Sequence, residues 1–126
     1  MGLLNELGFD KDEQRGMLVD PPDHVLAEAS AIKPRPTVAS NLMTAEPAAR
    51  IAWWPAGGRL DPGTVSRFYW MVQMGRGEGW LIYDPDDEDS ATAEEVRRAV
   101  AESSFEELGQ VSLSTGEVAL HVGPGS

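Results

Sequence analysis

The stretch RIAWWPAGGRLDPGTVSRFYWMVQMGRGEGWLIYD, residues 50–84, decides the fold. Ile51-Ala52-Trp53-Trp54 is a continuous apolar run, as expected of a central strand covered on both faces. Pro55-Ala56-Gly57-Gly58 breaks it. Asp61-Pro62 then has the form of a helix start, with aspartate capping and proline in the first turn. Val65, Phe68, Tyr69 and Val72 follow at the i, i+3, i+4, i+7 spacing of one helical face, and Gly75 and Gly77 end the helix. Trp80-Leu81-Ile82-Tyr83 is a second apolar strand.

Downstream, Thr92 to Ser103 predicts a helix with Val96, Ala99, Val100 and Ser103 on one face and a Glu94–Arg98 pair towards solvent. Val111 and Leu113, then Ser114-Thr115-Gly116-Glu117, then Val118, Leu120 and Val122 predict a hairpin, because alternation flanks a glycine-containing turn. The closing residues 123–126 read as a frayed tail. Upstream, Leu3, Leu4 and Leu7 can share a helical face ended by Gly8. Arg15 to Asp20 reads as a short buried strand stopped by Pro21-Pro22. Asp23 then caps a helix carrying Val25, Leu26 and Ala29, which Pro34 and Pro36 end, and Thr37-Val38-Ala39 reads as an edge strand. The pattern assigns no fold to residues 33–49 as a whole. Leu42 and Met43 can pack, and Pro47 forbids a long helix there.

Strand, helix, strand, helix and a final hairpin imply parallel pairing with right-handed crossovers and one antiparallel edge. The expected fold is α/β: a three-layer Rossmann-like sheet, mostly parallel with a C-terminal antiparallel hairpin, in one domain over 1–126. The order from Arg50 to Val122 resembles the second half of the S-adenosylmethionine-dependent methyltransferase sheet. The whole chain resembles a family of small bacterial methyltransferase-like proteins of unknown function. The matching residues are Leu7-Gly8-Phe9, Met17 to Pro22, Ile51 to Trp54, Gly77 to Ile82 and Glu94 to Ala101. The resemblance implies a shortened methyltransferase-like domain.

One departure bears on function. A nucleotide-binding Rossmann unit needs glycines in its first strand-to-helix turn, so that backbone amides can approach the ligand. Here that turn is Asp20-Pro21-Pro22-Asp23. Its prolines remove donors and its acids oppose a diphosphate, although a cationic sulfonium meets a softer objection. No cofactor is expected.

Composition narrows the classes further. The 126 residues carry 21 acidic against 10 basic side chains, for a net charge of −11. That field repels phosphate backbones and anionic bilayers, so nucleic acid and membrane are poor partners and a basic protein surface is a better one. No apolar run reaches the roughly 18 residues that span a bilayer. The start Met1-Gly2-Leu3-Leu4 shows neither an export signal nor a myristoylation pattern, so a cytoplasmic location is expected. With no cysteine, disulfides and thiolate chemistry are excluded. No serine-nucleophile elbow, phosphate-binding loop or zinc-protease motif is present.

Three clusters remain. Asp84, Asp86, Glu88, Ser90, Thr92 and Glu95 match the ligand spacing of a twelve-residue calcium loop. However, Asp89 replaces the glycine of that motif, and a strand precedes the segment where the motif needs a helix. The alternatives are a solvated turn, a calcium site at Asp84, Asp86, Glu88 and Glu95, or contact with a basic partner. Asp20, Asp23 and His24 form a second polar group, readable as a capped helix with an exposed imidazole or as a general base. Trp70 aligns with Met74 on a second face of its helix, either packed under 41–48 or exposed to a partner, a second copy being the simplest.

Two functions follow from these clusters. The first is a non-catalytic adaptor or regulator binding a protein partner through Trp70, Met74, Asp86, Asp87 and Asp89. The second is a ligand binder or small enzyme using a crevice at the carboxyl ends of the strands, where Asp20, Asp23, His24, Trp54, Tyr83 and Asp84 would converge.

Overall fold

The structure is a computed structural model, and it describes residues 7, 9, 16–32, 35–41, 44–48, 50–55, 57, 60–75, 77–103, 105–113 and 116–124. Its elements run β1 (Met17–Val19), α1 (Asp23–Ala29), β2 (Thr37–Ala39), β3 (Arg50–Trp53), α2 (Pro62–Met74), β4 (Glu78–Tyr83), α3 (Ala93–Ala101), β5 (Phe105–Ser112) and β6 (Val118–Pro124). They build a six-stranded sheet in the order β2-β1-β3-β4-β6-β5. The first four positions pair in parallel, and β6 runs antiparallel to both β4 and β5. The mixed α/β sheet, mostly parallel with an antiparallel C-terminal pair, is the expected fold.

Alternation along each central strand sends side chains to two different cores, as pleating requires. Ile51, Trp53, Leu81, Tyr83, Leu120 and Val122 pack with α2 and α3 on one face. Ala52, Trp54, Trp80, Ile82 and Ala119 pack with Val25 and Ala29 of α1, and with Leu7 and Phe9, on the other. Trp53 and Trp54 are thus divided between the faces. On the first face Phe68 is fully buried, with its ring centroid 5.2 Å from Trp53 and 5.5 Å from Phe105.

The helix ends obey local chemistry. Asp61 caps α2 by accepting from the Thr64 amide at 2.8 Å, and Thr92 and Glu95 form a reciprocal capping box on α3. The Glu94–Arg98 pair closes at 3.1 Å on the exposed side of α3. At the end of α2, a Cβ on Gly75 would lie 2.1 Å from the Ala48 carbonyl oxygen, so only glycine admits the 44–48 segment here. That segment sends Ala45 and Ala48 to the core that holds Met71.

Some expectations are corrected. The N-cap of α1 is Pro22, with no side-chain cap, and Asp23 is the exposed first helical residue. Gly123 and Pro124 are not a frayed tail: they pair with Glu106 and Phe105 as the end of β6. Strand β5 begins at Phe105, well before Val111, since its exposed residues show no apolar alternation. Expectations for Leu3, Leu4, Gly8, Pro34, Leu42, Met43 and residues 125–126 fall outside the described residues.

Candidate functional site: a crevice at the switch point of the sheet

The chain leaves β1 through α1 to β2 on one side, then returns with β3 on the other side of β1. That reversal opens a gap beyond the carboxyl ends of β1 and β3, the place where open α/β sheets bind ligands. A crevice of about 410 Å³ lies there. Each edge comes from residues just past a strand end: Asp20 after β1, Trp54 after β3 and Asp84 after β4. Because β6 is antiparallel, it is its amino end, preceded by Glu117, that meets the carboxyl end of β4, with Tyr83 opposite Val118.

Glu117 organises this site. Its residue is 3% exposed, the one buried charged residue among those described. Its Oε1 lies 2.7 Å from His24 Nε2, and its Oε2 accepts from Trp54 Nε1 at 2.8 Å. A carboxylate can only accept, so this pairing puts an imidazole hydrogen on Nε2. The imidazole itself is 49% exposed, so one edge is held by the protein and another meets solvent. An imidazole fixed by a buried carboxylate, which is itself fixed by an indole, can exchange a proton with a bound group.

The backbone of the rim is tied down as well. The Asp20 amide donates to the Ala39 carbonyl at 2.8 Å, and the Trp54 amide donates to the Val19 carbonyl at 3.2 Å. Asp20 has φ of 51°, the one non-glycine residue of positive φ among those described. Aspartate tolerates that left-handed conformation better than most side chains. The crevice wall is then completed by Pro21, Pro22 and Pro55 and by Asp87, Asp89 and Ser90 of the acidic turn.

The structure thus brings together Asp20, His24, Trp54 and Asp84. Asp23 is exposed on α1 and does not line the crevice. Tyr83 points to the α2 and α3 side and lines an adjoining crevice, which shares Asp84, Asp87 and Ser90 with the first. Glu117 was missed from sequence. The available signal was its parity: 117, 119 and 121 share one face of β6, so an acid there falls on the α1 side of the sheet.

The acidic turn satisfies itself locally. Asp84 Oδ1 accepts from the Asp86 amide at 3.0 Å, Asp87 Oδ1 from the Asp89 amide at 2.9 Å, and Ser90 Oγ from the Asp84 amide at 2.9 Å. Glu95 is drawn into the α3 capping box, away from Asp84, Asp86 and Glu88. Among the described residues no three His, Cys, Asp or Glu side chains converge as metal ligands. His121 lies elsewhere, stacked on Trp80 with centroids 4.8 Å apart. Its Nε2 is 3.5 Å from Glu78 Oε2, within reach of an ion pair but too long for a good hydrogen bond.

Trp70 and Met74 are 42% and 58% exposed, with the Arg67 guanidinium 4.9 Å from the Trp70 ring. Met71, between them in sequence, is fully buried. Among the described residues no helix is long and apolar enough to cross a membrane.

No family model matches the chain, and no curated protein matches it. Solved structures do. An O-methyltransferase family 2 protein from Planctomyces limnophilus, solved in complex with apigenin, is 17% identical with a TM-score of 0.50. That match covers 86% of this chain and 43% of the other. The pyocyanin biosynthetic protein PhzM is 15% identical with a TM-score of 0.54, over 87% of this chain and 43% of its own. The fold is methyltransferase-like. The chain spans less than half the length of either of these proteins, and at these identities the likeness extends to the fold alone.

Proposed function

We propose that this protein binds a small ligand on its methyltransferase-like scaffold, in the crevice beyond β1 and β3. The observation that carries this reading is the Glu117 carboxylate, buried beside the crevice and held by both His24 and Trp54. Burying a charge is unfavourable unless its partners are well placed. Here the carboxylate and its two partners come from three distant parts of the chain, which meet only at the switch point. Asp20-Pro21-Pro22 replaces a glycine loop and opposes a diphosphate, so the ligand is not one held by its phosphates.

The test is a resonance titration that follows the Trp54 indole N–H and the His24 ring against a panel of S-adenosylmethionine, nucleotides, amines and phenols. Saturable shifts at Trp54 and His24 with any member support the reading. A folded protein whose two resonances respond to no member sinks it.

A second reading adds the exposed face of α2 to the acidic turn. Exposed Trp70 and Met74 suit an adaptor that docks a protein, with Asp86, Asp87 and Asp89 facing a basic partner or Trp70 facing a second copy. Trp70→Ser with Met74→Ser, or the three aspartates exchanged for asparagine, then weakens partner recovery or self-association. Unchanged recovery and unchanged mass by light scattering count against it.

A further inference from the structure

We infer that two copies of this chain pair through the outer edge of β5, joining their sheets across a two-fold axis at Val111. This surface is separate from the crevice and from the Trp70 and Met74 face of α2. Strand β5 is the last of the sheet, and among the described residues it pairs with β6 alone. Glu106 to Ser112 are all exposed, so the strand stands largely clear of the helical layers on both faces. Val111 lies opposite Ala119 and shares its side of the sheet, and Leu108 lies over Gly123 on that same side. These two apolar side chains are 40% and 48% exposed, beside an open row of backbone donors and acceptors. An edge of that kind is a template for another strand.

Hydrogen-bond phase fixes the register. The Leu113 amide donates to the Glu117 carbonyl at 2.8 Å, which makes these residues a hydrogen-bonded pair. Such pairs alternate along an antiparallel ladder, so Val111 and Ala119 form the next one. The amides and carbonyls of Gln110 and Ser112 then point to the open edge. The bulge at Leu108 ends the regular edge on one side, the turn after Leu113 ends it on the other, and Val111 is its midpoint. An antiparallel copy centred there exchanges hydrogen bonds between Gln110 of each copy and Ser112 of the other. It also sets the two Val111 side chains face to face, with Cα atoms about 4.5 Å apart.

Charge selects a second copy as the occupant. A net charge of −11 drives copies apart, yet Leu108 to Gly116 carries no charged side chain. In this register Glu107 of one copy lies eight residues along the pair from Glu107 of the other. That is roughly 27 Å, well beyond the screening length. A charged partner gains little from so neutral a stretch, whereas an identical strand matches its hydrogen bonds, its length and Val111.

Sedimentation equilibrium of the full chain tests the inference, using Val111→Lys, Val111→Glu, their equimolar mixture, and Trp70→Ser/Met74→Ser. Val111 is exposed, so either charge leaves the fold intact. The expected wild-type mass rises towards that of a dimer between about 10 μM and 1 mM. Each Val111 variant sets like charges against each other at the axis and associates about tenfold more weakly. Their mixture brings opposite charges together there and recovers the dimer, while the α2 variant associates as wild type does. A wild type that stays monomeric throughout overturns the inference. So do Val111 variants that associate like wild type, or a mixture no heavier than its components. Loss of the dimer in the α2 variant alone moves self-association to α2 and likewise overturns it.

Discussion

Glu117 Oε1 and His24 Nε2 lie 2.7 Å apart across 93 residues of chain, which makes this contact the closure of the crevice. Helix α1 brings the imidazole from one side of the sheet reversal, and the antiparallel β6 brings the carboxylate from the other.

Glu117→Leu removes both acceptors and leaves the buried Trp54 indole N–H without its partner. It is expected to destabilise the fold by about 1–3 kcal/mol in denaturant titration, the usual cost of orphaning a buried polar group. Glu117→Gln keeps one acceptor for Trp54, and the imidazole can accept from the new amide by changing tautomer. The smaller loss in the glutamine variant distinguishes a hydrogen-bonding role from mere packing.

The Phe68 ring sits between Trp53 and Phe105 on the first face of the sheet. Phe68→Ala is expected to cost about 3–5 kcal/mol, because a cavity at a fully buried aromatic position cannot collapse. Thermal and denaturant unfolding report it. A loss below about 1 kcal/mol would show that α2 does not pack on β3 and β4 as described.

Gly75→Ala tests the close approach of 44–48 to α2. Its methyl group meets the Ala48 backbone, and the structure has no flexible side chain there that could yield. A loss of about 1–3 kcal/mol is expected, against the small gain that alanine normally brings at a helix end.

Hydrogen bonds from the Thr64 amide, then from its hydroxyl, hold the exposed Asp61 carboxyl below its ordinary value. The folded group therefore titrates lower than the unfolded one. Its contribution is present above the unfolded value and is lost as pH falls through the folded value. Asp61→Asn keeps the oxygen acceptor and removes the titration. Unfolding curves between about pH 2 and 5 should show a shallower acid limb for this variant. An identical limb rules out the cap as a source of acid sensitivity.

Several elements were legible because their signals are local. The apolar run Ile51 to Trp54, the Asp61-Pro62 helix start and the helix periodicity from Thr92 to Ser103 depend on neighbours a few residues away. Alternation in Val118, Leu120 and Val122 foretold a hairpin strand, and the order of elements foretold the parallel sheet with its antiparallel end. The strand-end rule also put Asp20, His24, Trp54 and Asp84 in one crevice. Tyr83 was misplaced there because its side chain takes the opposite face of β4 from Trp80 and Ile82.

By itself, then, the sequence determined the order and type of most elements, the acidity of the chain and the loss of the glycine loop. Those follow from side-chain periodicity, from proline and glycine backbone chemistry, and from charge, all readable within a turn or a strand. Only the tertiary structure decided that Glu117 is buried, that it joins His24 to Trp54, and that Gly123 and Pro124 are strand. Each of these depends on the register between β6 and its neighbours. Register is settled by packing two sheet faces at once, and no local stretch of residues contains that information.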